Sequence, residues 1–189
     1  MKNILILVML LSFHSLLAQD RLSFEIRPDI GFATQELGDA SLNTGFGIEG
    51  TFAYRFMPHL AAYAGWGWQQ FTADESFAGA NIDVEETGYT FGLQFIHPLG
   101  STPMSYFVRG GGIYNHIELE NDEGDITADS GHGLGWQAEA GVAVPLGENW
   151  RLMPGIRYRA LSRDIEIGNN NTPVDLNYIS IGIGFSRYF

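Results

Sequence analysis

The chain closes on Ile179-Ser180-Ile181-Gly182-Ile183-Gly184-Phe185-Ser186-Arg187-Tyr188-Phe189, and the period of that stretch decides the fold. Ile179, Ile181, Ile183, Phe185 and Phe189 share one parity; Ser180, Gly182, Gly184 and Ser186 share the other. Successive side chains of a strand point to opposite faces, so this alternation predicts a strand with one large apolar face and one small polar face.

The same period runs back along the chain to Leu22. In the first strand Phe24, Ile26, Pro28, Ile30 and Phe32 oppose Ser23, Glu25, Arg27, Asp29 and Gly31. In the second, Phe46, Ile48, Phe52, Tyr54 and Phe56 oppose Gly45, Gly47, Glu49, Thr51 and Arg55. Further strands set Leu60, Ala62, Ala64, Trp66 and Trp68 outward, then Tyr89, Phe91, Leu93 and Phe95, then Tyr106, Val108 and Tyr114. Leu134 to Val144 and Trp150 to Tyr158 complete the series, the last with Arg151, Arg157 and Arg159 on its polar face. Cross-strand neighbours must share a face, which tests these parities. A turn at 57–59 puts Phe56 opposite Leu60 and Phe52 opposite Ala64; a turn at 147–149 puts Glu139 opposite Arg157. Pro28 and Pro154 each remove a ladder hydrogen bond, and are expected at bulges or strand starts.

Period two does not say which face is inside. The polar faces are largely Gly, Ser and Thr with a few Glu and Arg, and an eight-stranded barrel has room inside only for side chains of modest bulk. Stacked Phe, Trp and Ile would overfill it. The apolar face is therefore assigned outward, to lipid. Connections near 34–43, 72–85, 118–131 and 162–173 are long, while 57–59 and 146–149 are tight and 97–104 is intermediate, the length pattern of long outer loops and short inner turns. Trp66, Trp68, Tyr89, Trp136, Trp150 and Tyr158 cluster at strand ends, where aromatic girdles meet the membrane–water interface.

Totals agree with that assignment. The 189 residues include 24 glycines and 13% aromatics, charged residues fall to 17%, and mean hydropathy is −0.03, as expected when only alternate residues face lipid. Cys is absent, which excludes disulfides and thiolate chemistry. A net charge of −12 with one lysine, Lys2, excludes nucleic acid as a partner. Lys2, the apolar run Ile4–Leu11 and the small residue Ala18 read as a signal peptide over 1–18, leaving one barrel domain over 19–189. The expected fold is thus all-β: an antiparallel up-and-down transmembrane barrel of eight strands.

The signal peptide, the alternating strands and the quoted C-terminal run together resemble the small bacterial outer-membrane β-barrel family, which includes the OmpA membrane domain and the OmpX-like and opacity-like porin-family proteins. The resemblance covers the whole mature chain. It implies residence in the outer membrane, contact with outer-membrane lipid, and recognition of Phe185 and the terminal Phe189 by the outer-membrane assembly machinery. Arg187 departs from the pattern by placing a charge on the outward face. No peptidoglycan-binding domain follows, so cell-wall tethering is not implied.

The candidate site is the lumen. Glu25, Arg27, Glu49, Arg55, Arg109, Glu139, Arg157 and Arg159 are expected to project into it and to pair, because a buried charge without a partner is expensive and the arginine fork suits carboxylates. A structural polar plug is the expected outcome, against a gate or proton path. Acidic residues crowd the long connections, with Asn121-Asp122-Glu123-Gly124-Asp125 the densest stretch, but EF-hand spacing is incomplete and solvated loops are expected. The triplet Asn170-Asn171-Thr172 matches a glycosylation acceptor that means little in a bacterium. Two other functional classes stay open. Tyr63, Phe71, Phe107 and Tyr178 turned inward would make a small apolar pocket for binding or passive transport of a hydrophobic molecule. Ser130 and His132 suggest a lipid-directed hydrolase, although no third member or oxyanion hole is specified. No metal, cofactor or catalytic residue is assigned, and the surface partner is unspecified.

Overall fold

A computed structural model describes residues 21–38, 40–76, 79–121, 123–167 and 170–189, with side chains described at all of these except 74–76, 79–81, 166–167 and 170–171. The expected signal segment, Asp39, Asp122, Asn169 and the side chains of Asp74, Glu75, Glu166, Asn170 and Asn171 lie outside the described residues.

Every regular element among the described residues is a strand: β1 Leu22–Ala33, β2 Gly45–Met57, β3 Leu60–Ser76, β4 Gly79–Pro98, β5 Ser105–Glu120, β6 Ile126–Asp129, β7 Gly133–Pro145, β8 Trp150–Ile167 and β9 Asn170–Tyr188. All pairings are antiparallel, and β1 closes the sheet on β9. The four-residue β6 continues the line of β7, since both pair with β5. The result is a closed up-and-down barrel with eight walls.

The apolar parities point outward. Ile30, Phe52, Tyr89, Phe91, Trp136, Ile156, Ile181 and Phe185 are all exposed on the barrel exterior. Phe52 pairs with Ala64, and Glu139 with Arg157, as the parity argument requires. Phe56 does not meet Leu60: a bulge between Arg55 and Met57 makes Met57 the partner of Leu60.

Neither proline sits at a bulge or a strand start. Pro28 pairs with Ile48 on one side, while the β1–β9 ladder skips from Ile26–Phe185 to Asp29–Gly182 with the register unchanged. Pro154 pairs with Ile183, and the β7–β8 ladder skips from Gly141–Gly155 to Val144–Leu152, again in register. In an antiparallel ladder one residue bonds to only one neighbouring strand, so each proline leaves a gap on one side alone.

Three of the four expected long loops are strand. β3 and β4 run for 17 and 20 residues, β8 and β9 for 18 and 19, so most of 72–85 and 162–173 is hairpin, and 118–131 includes the end of β5 and all of β6. At about 3.3 Å per residue β4 is about 65 Å long, far more than an apolar band about 25 Å tall requires even when strands tilt by about 40°. The wall therefore rises well beyond the greasy belt. Of the four, 34–44, between the short strands β1 and β2, is the one that stays outside the strands, and it folds back by a bridge from Leu37 to Ala40, both buried.

Polarity inverts along this rise. In the belt, large apolar residues face out and charges face in. Beyond it, Asp83, Glu85, Glu118, Glu120, Asp164 and Asp175 lie on the outward parity, while Phe71, Val84, Ile117, Leu119, Leu161, Ile165 and Leu176 are buried inside with Leu37. The upper part is built like a water-soluble barrel stacked on a membrane one.

Candidate functional site

The interior has three layers. At the end carrying the short turns, Ile96, Phe107, Ala143 and Met153 form one small apolar cluster and Ala53, Ala61 and Tyr63 another. At the far end lies the larger apolar core just described, in which Phe71 meets Tyr178 edge-on with centroids 5.2 Å apart. Between them is a layer of buried charge: Glu25, Arg27, Asp29, Glu49, Glu86, Arg109, Glu139, Arg157 and Arg159, five carboxylates and four guanidiniums.

Strand alternation places these side chains, and the register joins them. Glu25, Arg27 and Asp29 are successive inward residues of β1; Arg157 and Arg159 are successive inward residues of β8; Glu139 of β7 pairs with both Arg109 of β5 and Arg157. Arg109 grips Glu25 with both terminal nitrogens, Nη2 at 2.5 Å from Oε2 and Nη1 at 3.2 Å from Oε1, and its Nε donates to Gln94 at 2.7 Å. Arg27 donates through Nε to Glu25 at 2.9 Å and lies 2.9 Å from Glu139. A second group centres on Glu49, whose two oxygens meet Arg157 at 2.9 Å and Arg159 at 2.7 Å. Arg157 also pairs with Asp29. Arg159 donates to Gln137 at 2.7 Å and reaches Glu86 at 3.4 Å, and Glu86 accepts from Tyr178 Oη at 2.7 Å and from Asn115 at 2.5 Å. Arg27 and Arg109 also lie over the Phe107 ring, at 5.7 and 5.3 Å, which couples the charge layer to the apolar cluster beneath it. Glu139 is the least well served member: its oxygens lie within ion-pair range of Arg27 and Arg109 but outside hydrogen-bond alignment.

Of the eight lumen residues expected from sequence, Glu25, Arg27, Glu49, Arg109, Glu139, Arg157 and Arg159 are brought together here. Arg55 is not. It is half-buried beside Arg21 and Arg151 at the turn end, because β2 carries its inward parity past the charge layer before the bulge. Asp29 and Glu86 are the members absent from the expected set. Asp29 carried a readable signal, an inward parity two residues beyond Arg27. Glu86 falls in a stretch that composition marks as acidic loop, and only the extension of β4 turns it inward.

Tyr63, Phe71, Phe107 and Tyr178 all point inward and are buried, each packed into one of the apolar layers. Ser130 and His132 do not assemble into a nucleophile and base. Ser130 Oγ accepts from Ile117 N–H at 2.8 Å and donates to the Gly131 carbonyl at 3.0 Å, while the His132 ring stacks on His116. Trp68 has its indole N–H on Glu85 at 2.8 Å, which fixes the level at which the greasy belt gives way to the acidic face. Glu120 is set above the ordinary carboxylate range by its slight burial and by the neighbouring carboxylates of Glu85, Glu118 and Asp83.

A closed eight-walled barrel with a lipid-facing belt, tight turns at one end and a side-chain-filled interior is a small integral membrane barrel. The chain belongs to the outer membrane protein beta-barrel domain family, which it matches over residues 4–189, and it is an integral protein of the bacterial outer membrane. Its fold is similar to that of Neisserial surface protein A, at 17% identity over 88% of this chain and 97% of that one with a TM-score of 0.59. It is similar to OprG from Pseudomonas aeruginosa, at 17% identity over 91% and 99% with a TM-score of 0.59. It is also similar to outer membrane protein W from E. coli, at 16% identity over 90% and 100% with a TM-score of 0.58. No curated protein sequence matches the chain significantly. In this family the short turns are periplasmic and the longer connections extracellular, so both described chain ends, hydrogen-bonded beside the turns, lie on the periplasmic side and the acidic hairpins outside.

Proposed function

We propose that the protein is a closed, non-conducting and non-enzymatic barrel with a structural or surface-interaction role, in which the charge layer is a plug and the acidic hairpins are the outward display. One observation carries this reading: the charged layer is packed between apolar layers above and below, so ions would have to cross dehydrated side chains in both directions. An unpaired charge leaving water costs several kcal/mol even after relaxation, of order 5 kcal/mol per ion. In planar bilayers the purified protein is expected to give no discrete openings. Reproducible unitary steps would overturn the plug.

A second reading, binding or passive transport of a small hydrophobic molecule, is favoured by the apolar upper core around Phe71, Leu161 and Leu176. Those side chains are already packed against one another, so an apolar guest would have to displace them. Titration of the reconstituted protein with a small alkane, followed through the methyl resonances of Leu161 and Leu176, distinguishes the two: saturable shifts support the second reading, and none supports the first.

The proposed partners are outer-membrane lipid along the exposed belt and the assembly machinery at the C-terminal strand, where Phe185 and Phe189 are exposed on the lipid-facing parity. Phe189→Ala is expected to lower the fraction of folded barrel recovered from cells while leaving refolding in detergent unchanged. Equal recovery in cells would remove Phe189 from that role.

A further inference from the structure

His116, Glu118 and Asp129 stand together on the outward face of the β5–β6 hairpin, above the lipid belt. His116 and Glu118 are two residues apart on β5 and so share a face, and Asp129 of β6 pairs directly with Glu118. Nδ1 of His116 lies 3.1 Å from Oδ1 of Asp129 and 3.6 Å from Oε1 of Glu118. One donor atom from each of the three lies within 4.8 Å of the other two. Around a tetrahedral ion with bonds of about 2.0–2.2 Å, ligand atoms sit about 3.3–3.6 Å apart. The two separations made by the histidine are therefore already close to the edges of such a tetrahedron.

The donors are also held from behind. The His116 ring stacks on His132 with centroids 4.4 Å apart and planes 14° from parallel, and His132 packs in turn against Tyr114 at 5.2 Å. Asp129 Oδ1 accepts the Gly131 N–H at 2.8 Å. Supports of this kind set the orientation of metal ligands. A plain imidazole–carboxylate hydrogen bond would account for Asp129 but not for the second carboxylate approaching the same nitrogen. Among the described residues, His116 is the sole ion-pair partner of Glu118 and of Asp129.

We propose that His116, Glu118 and Asp129 bind a borderline divalent transition-metal ion, with Zn2+ the simplest occupant and the fourth position open to water or an outside ligand. The imidazole is what sets the class. Mixed nitrogen and oxygen donors suit zinc-like ions, whereas magnesium and calcium prefer oxygen alone. The neighbouring half-buried triplet Glu85, Glu118 and Glu120 offers only oxygens and carries no site by itself. Binding requires Nδ1 unprotonated, so the ion takes the position of the proton that His116 shares with Asp129.

The test is a calorimetric titration of the folded, detergent-purified barrel with Zn2+, backed by Co2+ absorption, after removal of chelators. One equivalent of Zn2+ is expected to bind, and His116→Gln and Asp129→Asn are each expected to weaken it by more than about tenfold. The double variant His59→Gln/His97→Gln removes the other pair of histidine rings in contact, tilted at 37° to each other at the periplasmic turns, and is expected to leave the titration unchanged. Glu120→Gln is likewise expected to change it less than about twofold, since that carboxylate supplies no ligand. Zn2+ binding that survives His116→Gln, or that equimolar Ca2+ displaces, would overturn the site and leave only a diffuse acidic surface. Should His116→Gln fail to fold, the near-isosteric Asp129→Asn on the same exposed face decides the question.

Discussion

At the residue scale the central contact is the bidentate grip of Arg109 on Glu25, buried in the middle of the barrel and braced by Gln94. Removing one partner of such a pair strands the other in a place water does not reach. Arg109→Leu is expected to destabilise the folded barrel by about 3–5 kcal/mol, measured by urea unfolding in lipid vesicles, while Arg109→Leu combined with Glu25→Leu recovers a large part of that loss. A loss below about 1 kcal/mol for the single variant would mean that water enters the layer. Gly111 has a complementary role. A Cβ there would run into the Phe91 carbonyl and the Cα of Gly92 on β4, so this crossing accepts no side chain while the walls keep their present spacing. Sequence made most of the charge layer legible because parity alone sends Glu25, Arg27, Glu49, Glu139, Arg157 and Arg159 inward. Parity could not set depth, and so it counted Arg55 with the others and left Glu86 outside.

At the scale of the element, the hairpins are the finding. β3–β4 and β8–β9 keep alternating past the membrane belt, but with the faces exchanged, because what lies outside changes from lipid to water while what lies inside must still be filled. Composition hid this. Acidic residues at every second position read as loop when the apolar residues between them, Phe71, Ile82, Val84, Ile165, Val174 and Leu176, are not recognised as an inner face. The upper core should therefore behave as a packed unit. Phe71→Ala is expected to cost about 3–5 kcal/mol, and because Phe71 lies above the charge layer, the loss should appear first as faster amide exchange in the upper parts of β3, β4, β8 and β9. Uniform acceleration through all eight walls would argue that upper and lower halves unfold as one.

For the whole molecule, charge is sorted by compartment. The chain has ten basic residues, of which Lys2 is the only lysine, leaving nine arginines. Arg27, Arg109, Arg157 and Arg159 are locked in the lumen; Arg21, Arg55, Arg151 and Arg187 lie at the periplasmic end, where Arg151 and Arg187 lie over the rings of Tyr188 and Trp150; Arg163 alone lies toward the outer end, donating to the Ser130 carbonyl. That end is also where Arg187, a charge on the lipid-facing parity, is tolerable: beside Trp150 it sits at the interface and not at the midplane. Acids dominate the opposite end. Closure between β1 and β9 leaves no sheet edge in the belt, so unfolding has to break the ring. Unheated protein in detergent is expected to migrate differently on a gel from heated protein, and identical mobility would argue against a closed ring in solution.

The sequence by itself determined that this chain is a membrane barrel, because period two, small residues on the polar face and large aromatics on the other are properties of single strands that need no partner to be read. It also determined that Glu25, Arg27, Glu49, Arg109, Glu139, Arg157 and Arg159 turn inward, though not that Glu86 joins them or that Arg55 falls below their layer. How far each strand runs, which carboxylate meets which guanidinium, and that the acidic stretches enclose an apolar core were decided only by the tertiary structure. Those depend on register and height around a closed ring, where residues such as Glu25 and Arg109, or Glu86 and Tyr178, meet across the lumen from strands far apart in the chain.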